Sequence, residues 1–255
     1  MRFLCGSVFI LIACFVPARA DLVQTIVRVK PAVVAIGTYQ PTRNPSRLFQ
    51  GTGFAVGDGL TVVTNAHVVP RTLDIANKEE LVVLAQIDGK PEFRHARIAM
   101  VDVEHDLLAL RVSGQPLPAL TLGDSSTVKE GESIAFTGFP LGMALGMRPV
   151  THRGTVSAVT PVATRAAGTR NLNAKSIDRL RSQFYVFQLD ATAYPGNSGS
   201  PMFDPETGVV YGVLNSVFVK GTKEAAIKDP SGISYVIPGN FVRDLLGQLA
   251  GQAGQ

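Results

Sequence analysis

The sequence predicts an all-β protein of barrels or sandwiches, closed by one short helix. Three observations predict it. Short apolar, β-branched runs recur along the chain, and Gly, Asp or Pro punctuates nearly every gap between them. A clear amphipathic stripe of helical period occurs only near the end. The 255 residues are 45% hydrophobic and 17% charged, so the chain has the apolar content for a sizeable core and is not a disordered polymer. Gly 25 and Pro 16 make it turn-rich without making it low in complexity.

The first segment is read as a targeting signal. Met1-Arg2 precedes an apolar run, Phe3 to Val16, and then Pro17-Ala18-Arg19-Ala20. A positive start, an apolar stretch and small residues in an A-x-A arrangement predict a signal peptide over 1–20, leaving Asp21 first. The run is too short for a comfortable membrane span, so no integral span is expected after processing. Leu11-Ile12-Ala13-Cys14 offers an alternative, a lipoprotein box with a lipid on Cys14. The expected location is therefore outside the cytoplasm, in a bacterial periplasm or secreted. Both cysteines, Cys5 and Cys14, fall in this leader, which excludes disulfides, thiolate catalysis and Cys-bound zinc from the chain after Ala20. Removing Arg2 and Arg19 with it lowers the net charge from +4 to +2, which gives no support to a nucleic-acid partner.

Residues 24–29 alternate loosely and end at Pro31. Residues 32–37 form a β-branched run that reads as a buried strand, and 40–50, polar with two prolines, reads as a loop. Residues 51–56 and 60–64, joined by Gly57-Asp58-Gly59, predict a hairpin. Residues 81–87 and 94–103 predict a second, and 107–112 a further strand. Residues 113–118 are the expected linker, dividing an N-terminal half, 21–115, from a C-terminal half, 116–255. Strands are then expected at 133–139, 151–159, 184–189, 202–203, 209–219 and 233–237. Between them, 161–183 is a basic insertion with a weak helical pattern over 176–184, read as a solvated loop or as a lid. Phe241, Val242, Leu245, Leu246 and Leu249 make the final helical stripe, with Asn240 as its expected N-cap.

Three segments carry chemistry. His67 follows a strand in Thr64-Asn65-Ala66-His67-Val68-Val69, Asp106 precedes an apolar run, and Ser198 is flanked by glycines in Pro195-Gly196-Asn197-Ser198-Gly199-Ser200-Pro201. Each alone has an ordinary structural explanation: a hydrogen-bonded histidine, a turn aspartate, a tight turn. Together they fit nucleophilic catalysis. A serine hydroxyl needs a base to take its proton, and imidazole suits that task near neutral pH. The imidazole needs a carboxylate to fix its tautomer, and an oxyanion needs backbone N–H donors that glycines leave unobstructed. The order His, Asp, Ser is that of chymotrypsin-type enzymes and differs from the subtilisin and α/β-hydrolase orders. A nucleophile elbow would need Gly where Ser200 stands.

On these residues the chain resembles the protease domain of the HtrA/Deg serine endopeptidases, within the trypsin/chymotrypsin-like clan. The similar motifs run in order: Gly51-Thr52-Gly53-Phe54, the histidine segment, Asp106-Leu107-Leu108-Ala109-Leu110, Gly138-Phe139-Pro140-Leu141-Gly142, Gly154-Thr155-Val156-Ser157-Ala158, Asp190 with Gly196 to Pro201, and Gly232 to Pro238. The resemblance implies two six-stranded antiparallel β-barrels with the site between them, His67 and Asp106 from the first and Ser198 from the second. It implies an oxyanion hole within Gly196, Asn197 and Ser198, and pocket walls from Ala193, Tyr194, Leu214, Asn215, Ser216 and Phe218. It also implies protein or peptide substrates, unfolded or damaged chains above all. Family members commonly continue into peptide-binding PDZ domains; here only residues 239–255 follow the closing strand, so none is expected, and the oligomeric state is left open between monomer and trimer.

No metal or cofactor is expected, since His95, His105 and His152 lack ligand spacing and read as surface or hydrogen-bonded residues. An acidic pocket base six positions before the serine would select Arg or Lys, but that position is Thr192 and Asp190 lies two further back. The expected preference is for small or medium aliphatic residues. Two other functions fit the same fold: an inactive, peptide-binding chaperone or scaffold, and an esterase.

Overall fold

A computed structural model of the chain describes residues 21–87, 89–142, 146–162, 184–215 and 232–253. The expected leader, and residues 163–183 of the 161–183 insertion with all of its helical pattern but Phe184, lie outside the described residues. A helix α1 (Leu22–Val29) leads into β1 (Val33–Tyr39), β2 (Arg47–Val56), β3 (Thr61–Asn65), β4 (Glu80–Ile87), β5 (Lys90–Asp102) and β6 (Leu107–Val112). After a connection come β7 (Ser133–Gly138), β8 (Val150–Pro161), β9 (Tyr185–Asp190), β10 (Pro201–Phe203), β11 (Val210–Asn215), β12 (Ile233–Pro238) and a helix α2 (Gly239–Ala253).

The strands close into two six-stranded antiparallel barrels, β1-β2-β3-β6-β5-β4 and β10-β11-β12-β9-β8-β7. The circuits are the same, since the second reads β7-β8-β9-β12-β11-β10 in reverse. Alternation explains how the first is filled. Val34, Ile36, Val83, Ala85, Leu108 and Leu110 sit at i, i+2 spacing and pack together inside it. The intervening Val33, Ala35, Leu84, Leu107 and Ala109 face the other way and are equally buried. They join Ala135, Phe139, Phe203, Val210, Val213 and Ile237 of the second barrel in one apolar seam. Burial on both faces is why these strands read as unbroken apolar runs rather than as polar/apolar alternation. Ile134, Phe136, Val156, Phe187, Leu189, Met202, Leu214 and Val236 fill the second barrel.

Each end of the described chain crosses to the opposite barrel. Thr25 Oγ1 on α1 donates to Glu206 O at 2.9 Å, and Val29 enters the seam. Helix α2 packs against β11 of its own barrel and also against β5 and β6 of the first, with Val242 and Leu245 in the seam. Among the described residues no helix is long and apolar enough to cross a membrane.

Three expectations change. Residues 24–29 are helical: Thr25 and Val29, four apart, are the buried positions, while Val23 and Val27 stay exposed, so tertiary packing selects a helical face that looked like loose alternation. Strand β2 begins at Arg47, inside the expected loop, because Arg47–Phe49 pair with Gly37–Tyr39. The 113–118 segment runs on from β6 toward β7 and lies against the first barrel. Leu117 N donates to Gly59 O at 2.9 Å and its side chain, 3% exposed, packs into the first barrel. Asn240 is not an N-cap, because α2 starts at Gly239 and the Asn240 side chain reaches outward, accepting from Ser125 N–H (3.1 Å) and donating to Asp124 (2.9 Å).

Candidate active site

His67 lies in a single 3-10 turn, Ala66–Val68, that ends β3. Asp106 lies in the β5–β6 turn with φ 52°, a left-handed conformation that Asp tolerates better than most residues. The turn is pinned to the end of β3: Asp106 O accepts from Ala66 N–H (3.0 Å) and Asn65 Nδ2 (3.1 Å). Its carboxylate then meets His67 twice, Oδ1 accepting from His67 N–H at 2.9 Å and Oδ2 contacting Nδ1 at 2.6 Å. A carboxylate only accepts, so Nδ1 holds the proton and Nε2 is left as the acceptor, the tautomer a general base needs. Asn215, 1% exposed, donates Nδ2 to the same Oδ2 at 2.7 Å.

Ser198 sits on the β9–β10 connection of the second barrel, 3% exposed. Its loop is held from the first barrel by Thr52 of β2. Thr52 N–H donates to Ser198 O (2.8 Å), Thr52 Oγ1 donates to Gly196 O (2.7 Å), and Phe139 N–H donates to Thr52 Oγ1 (2.9 Å). Two glycines are required by conformation and by space. Gly196 has φ 99° and Gly199 φ 88°; a Cβ on the first would run into Phe139 O and on the second into Thr52 O. The loop closes on β11, with Gly199 N–H donating to Leu214 O and Leu214 N–H to Ser200 O, both at 2.9 Å.

The structure sorts the other expected site residues. Asn197 N–H is committed to Tyr194 O at 3.0 Å, so it drops out of the expected oxyanion donors, leaving Gly196 and Ser198. Leu214 is fully buried with its side chain inside the second barrel, not on a pocket wall. Asn215 spends its side-chain amide on Asp106 rather than on a pocket. Ala193 and Tyr194 are half-buried beside the loop, and Ser216 and Phe218 lie outside the described residues. Asp190 is exposed at the end of β9.

The remaining histidines are placed too. His95 is an exposed partner of Glu80 at 2.9 Å. His152 stacks on Phe136 at 4.8 Å, and burial pushes its pKa down. His105 bonds to Asp102 at 2.6 Å. No cluster of three or more potential metal ligands occurs among the described residues.

A family profile for the trypsin-like peptidase domain matches residues 51–213, which include His67, Asp106 and Ser198. The chain belongs to the trypsin-like peptidase domain family. Among curated proteins this trypsin-like domain is 29% identical over 231 residues to the human protein Serine protease HTRA4, covering 89% of this chain and 41% of that protein. It is 30% identical over 201 residues to a Probable periplasmic serine endoprotease DegP-like from Halomonas elongata, covering 78% of this chain and 35% of the relative. It thus spans about two fifths or less of the length of these relatives. Among solved structures, the HtrA-type protease AlgW with a tripeptide superposes with a TM-score of 0.63 at 23% identity, over 90% of this chain and 63% of that one. The serine endoprotease from Yersinia pestis superposes with a TM-score of 0.62 at 20% identity. These two likenesses establish the shared two-barrel fold.

Proposed function

We propose that the chain is an exported serine endopeptidase that hydrolyses peptide bonds in unfolded or damaged proteins through an acyl-enzyme. The observation that carries the reading is the fixed carboxylate of Asp106, which grips His67 through both ring and backbone. In the proposed cycle His67 Nε2 takes the Ser198 hydroxyl proton as Oγ attacks the substrate carbonyl. Gly196 and Ser198 N–H groups stabilise the oxyanion. His67 then returns the proton to the leaving amine, and water repeats the sequence to free the acid. Asp106 stays ionised throughout and stabilises the imidazolium. No cofactor enters these steps. Export rests on the leader pattern of residues 1–20 and on the periplasmic relative.

The exposed position of Asp190 and the small Ala193 support cleavage after Val, Ala, Ile or Leu rather than after Arg or Lys. Selectivity should be modest, since one methylene in an apolar pocket is worth about 1–3 kcal/mol. The test is hydrolysis of unfolded casein and of a peptide library by the wild type and by Ser198→Ala, with labelling by a fluorophosphonate probe. Ser198→Ala should lose both labelling and at least about 10⁴-fold in kcat while remaining folded. Wild-type hydrolysis by Ser198→Ala would sink the mechanism, and dominant cleavage after Arg or Lys would sink the specificity.

A further inference from the structure

Residue 105, immediately before the proposed triad carboxylate, makes a His–Asp pair of its own. His105 N–H donates to Asp102 Oδ1 at 3.0 Å, and its Nδ1 meets Asp102 Oδ2 at 2.6 Å. The imidazole is stacked on Phe241 of α2, with centroids 3.8 Å apart and planes 19° apart. Phe184 meets it edge-on at 4.7 Å and packs against Phe241 at 5.3 Å. The side chains of His105 and Asp102 are 17% and 22% exposed, so the pair is a shielded joint rather than a solvated ion pair.

From this we infer that His105, held by Asp102 and by the aromatic face of α2, is a positioning residue for Asp106. The inference rests on the triad reading given above. Asp106 has φ 52°, a region a non-glycine residue keeps only when its surroundings over-determine it. Its carbonyl and carboxylate are restrained by Asn65, Ala66, His67 and Asn215. Rotation about its N–Cα bond swings the peptide plane shared with residue 105, and that plane is restrained only if residue 105 is. Asp102 binds His105 through backbone and ring, and Phe241 holds the ring flat. The stack therefore makes a helix that follows the second barrel a structural support for a carboxylate presented by the first. A ring that merely covered apolar surface would affect stability and leave turnover per folded molecule unchanged.

The experiment uses the full chain with His105→Ala, His105→Asn, His105→Phe and Phe241→Leu. It measures kcat and KM on a peptide substrate, the thermal unfolding midpoint, and the far-downfield NMR resonance of the His67 Nδ1 proton, which reports the bond to Asp106. His105→Ala and Phe241→Leu should lower kcat about ten-fold with KM within about two-fold, the size expected from a sub-ångström misplacement of a catalytic group, and should shift or broaden that resonance. His105→Asn, keeping a donor to Asp102, and His105→Phe, keeping the stack, should each recover part of the loss. If His105→Ala does not fold, Phe241→Leu decides alone. A fall in unfolding midpoint with kcat and resonance unchanged overturns the inference, as does a fall in kcat with the resonance unmoved. Asp106→Asn separates the two levels: if it leaves kcat and the resonance unchanged, the triad reading has failed and the positioning role falls with it.

Discussion

Replacing Asn215 by Ala tests how the Asp106 carboxylate is held. Oδ2 of Asp106 serves two groups, His67 Nδ1 at 2.6 Å and Asn215 Nδ2 at 2.7 Å. Asn215 is 1% exposed, so water does not readily take over its place. Hydrogen bonds to charged groups contribute about 1.5–3 kcal/mol, and each 1.4 kcal/mol is about a factor of ten in rate. If most of that loss falls on the transition state, where the imidazolium leans on the carboxylate, kcat should drop roughly 10- to 100-fold with KM little changed. Asn215→Asp should be worse, because it sets a second carboxylate against the first. The assay is steady-state hydrolysis of a peptide with an aliphatic residue before the scissile bond, beside circular dichroism to verify folding. A folded Asn215→Ala protein with wild-type kcat would refute the claim that this amide orients Asp106.

Thr52→Val keeps the shape of the residue but removes the hydroxyl that links Gly196 O to Phe139 N–H. A buried N–H and a part-buried carbonyl lose their partner, so the unfolding midpoint should fall by at least about 4 °C in a calorimetric scan, with kcat falling as the Gly196 peptide loosens. Asp124 is held down to about 2, first by Asn240 Nδ2 and then by the hydroxyl and N–H of Ser126. Its folded pKa lies below the ordinary 3.8, so its contribution to stability is complete above that value and disappears as pH falls towards about 2. An NMR titration should find its midpoint near 2, and one near 3.8 would contradict the contacts that join it to the start of α2.

Much of this was legible in the chain. The sequence places a strand at 107–112 and β6 lies there, because an apolar run bounded by a turn residue and a Ser-Gly pair leaves little freedom of register. The three segments of the proposed triad stand out because Gly and reactive residues coincide in the chain order of a known chemistry. Helix α1 was not legible, because the burial of Thr25 comes from Glu206, 181 residues away. Thr52 and Asn215 were equally hidden in their roles. Each is a polar residue inside an apolar strand, a signal that can be counted in sequence, but its partner lies on the other barrel. Single polar contacts between halves leave no periodicity in either half. The pairing of His105 with Asp102 is local and could have been suspected from the i, i+3 spacing, whereas the Phe241 stack could not.

The Thr52 stitch has a mechanical consequence. One residue of the first barrel carries the backbone of the nucleophile loop through Ser198 O and Gly196 O, while Asn215 of the second steadies the acid of the first. Neither half holds all of the proposed triad. A denaturant concentration that parts the barrels while leaving each closed would preserve the circular dichroism spectrum and abolish hydrolysis. Turnover thus works as a gauge of docking, and a chain cut within 113–132 would regain it only when its two fragments reassociate.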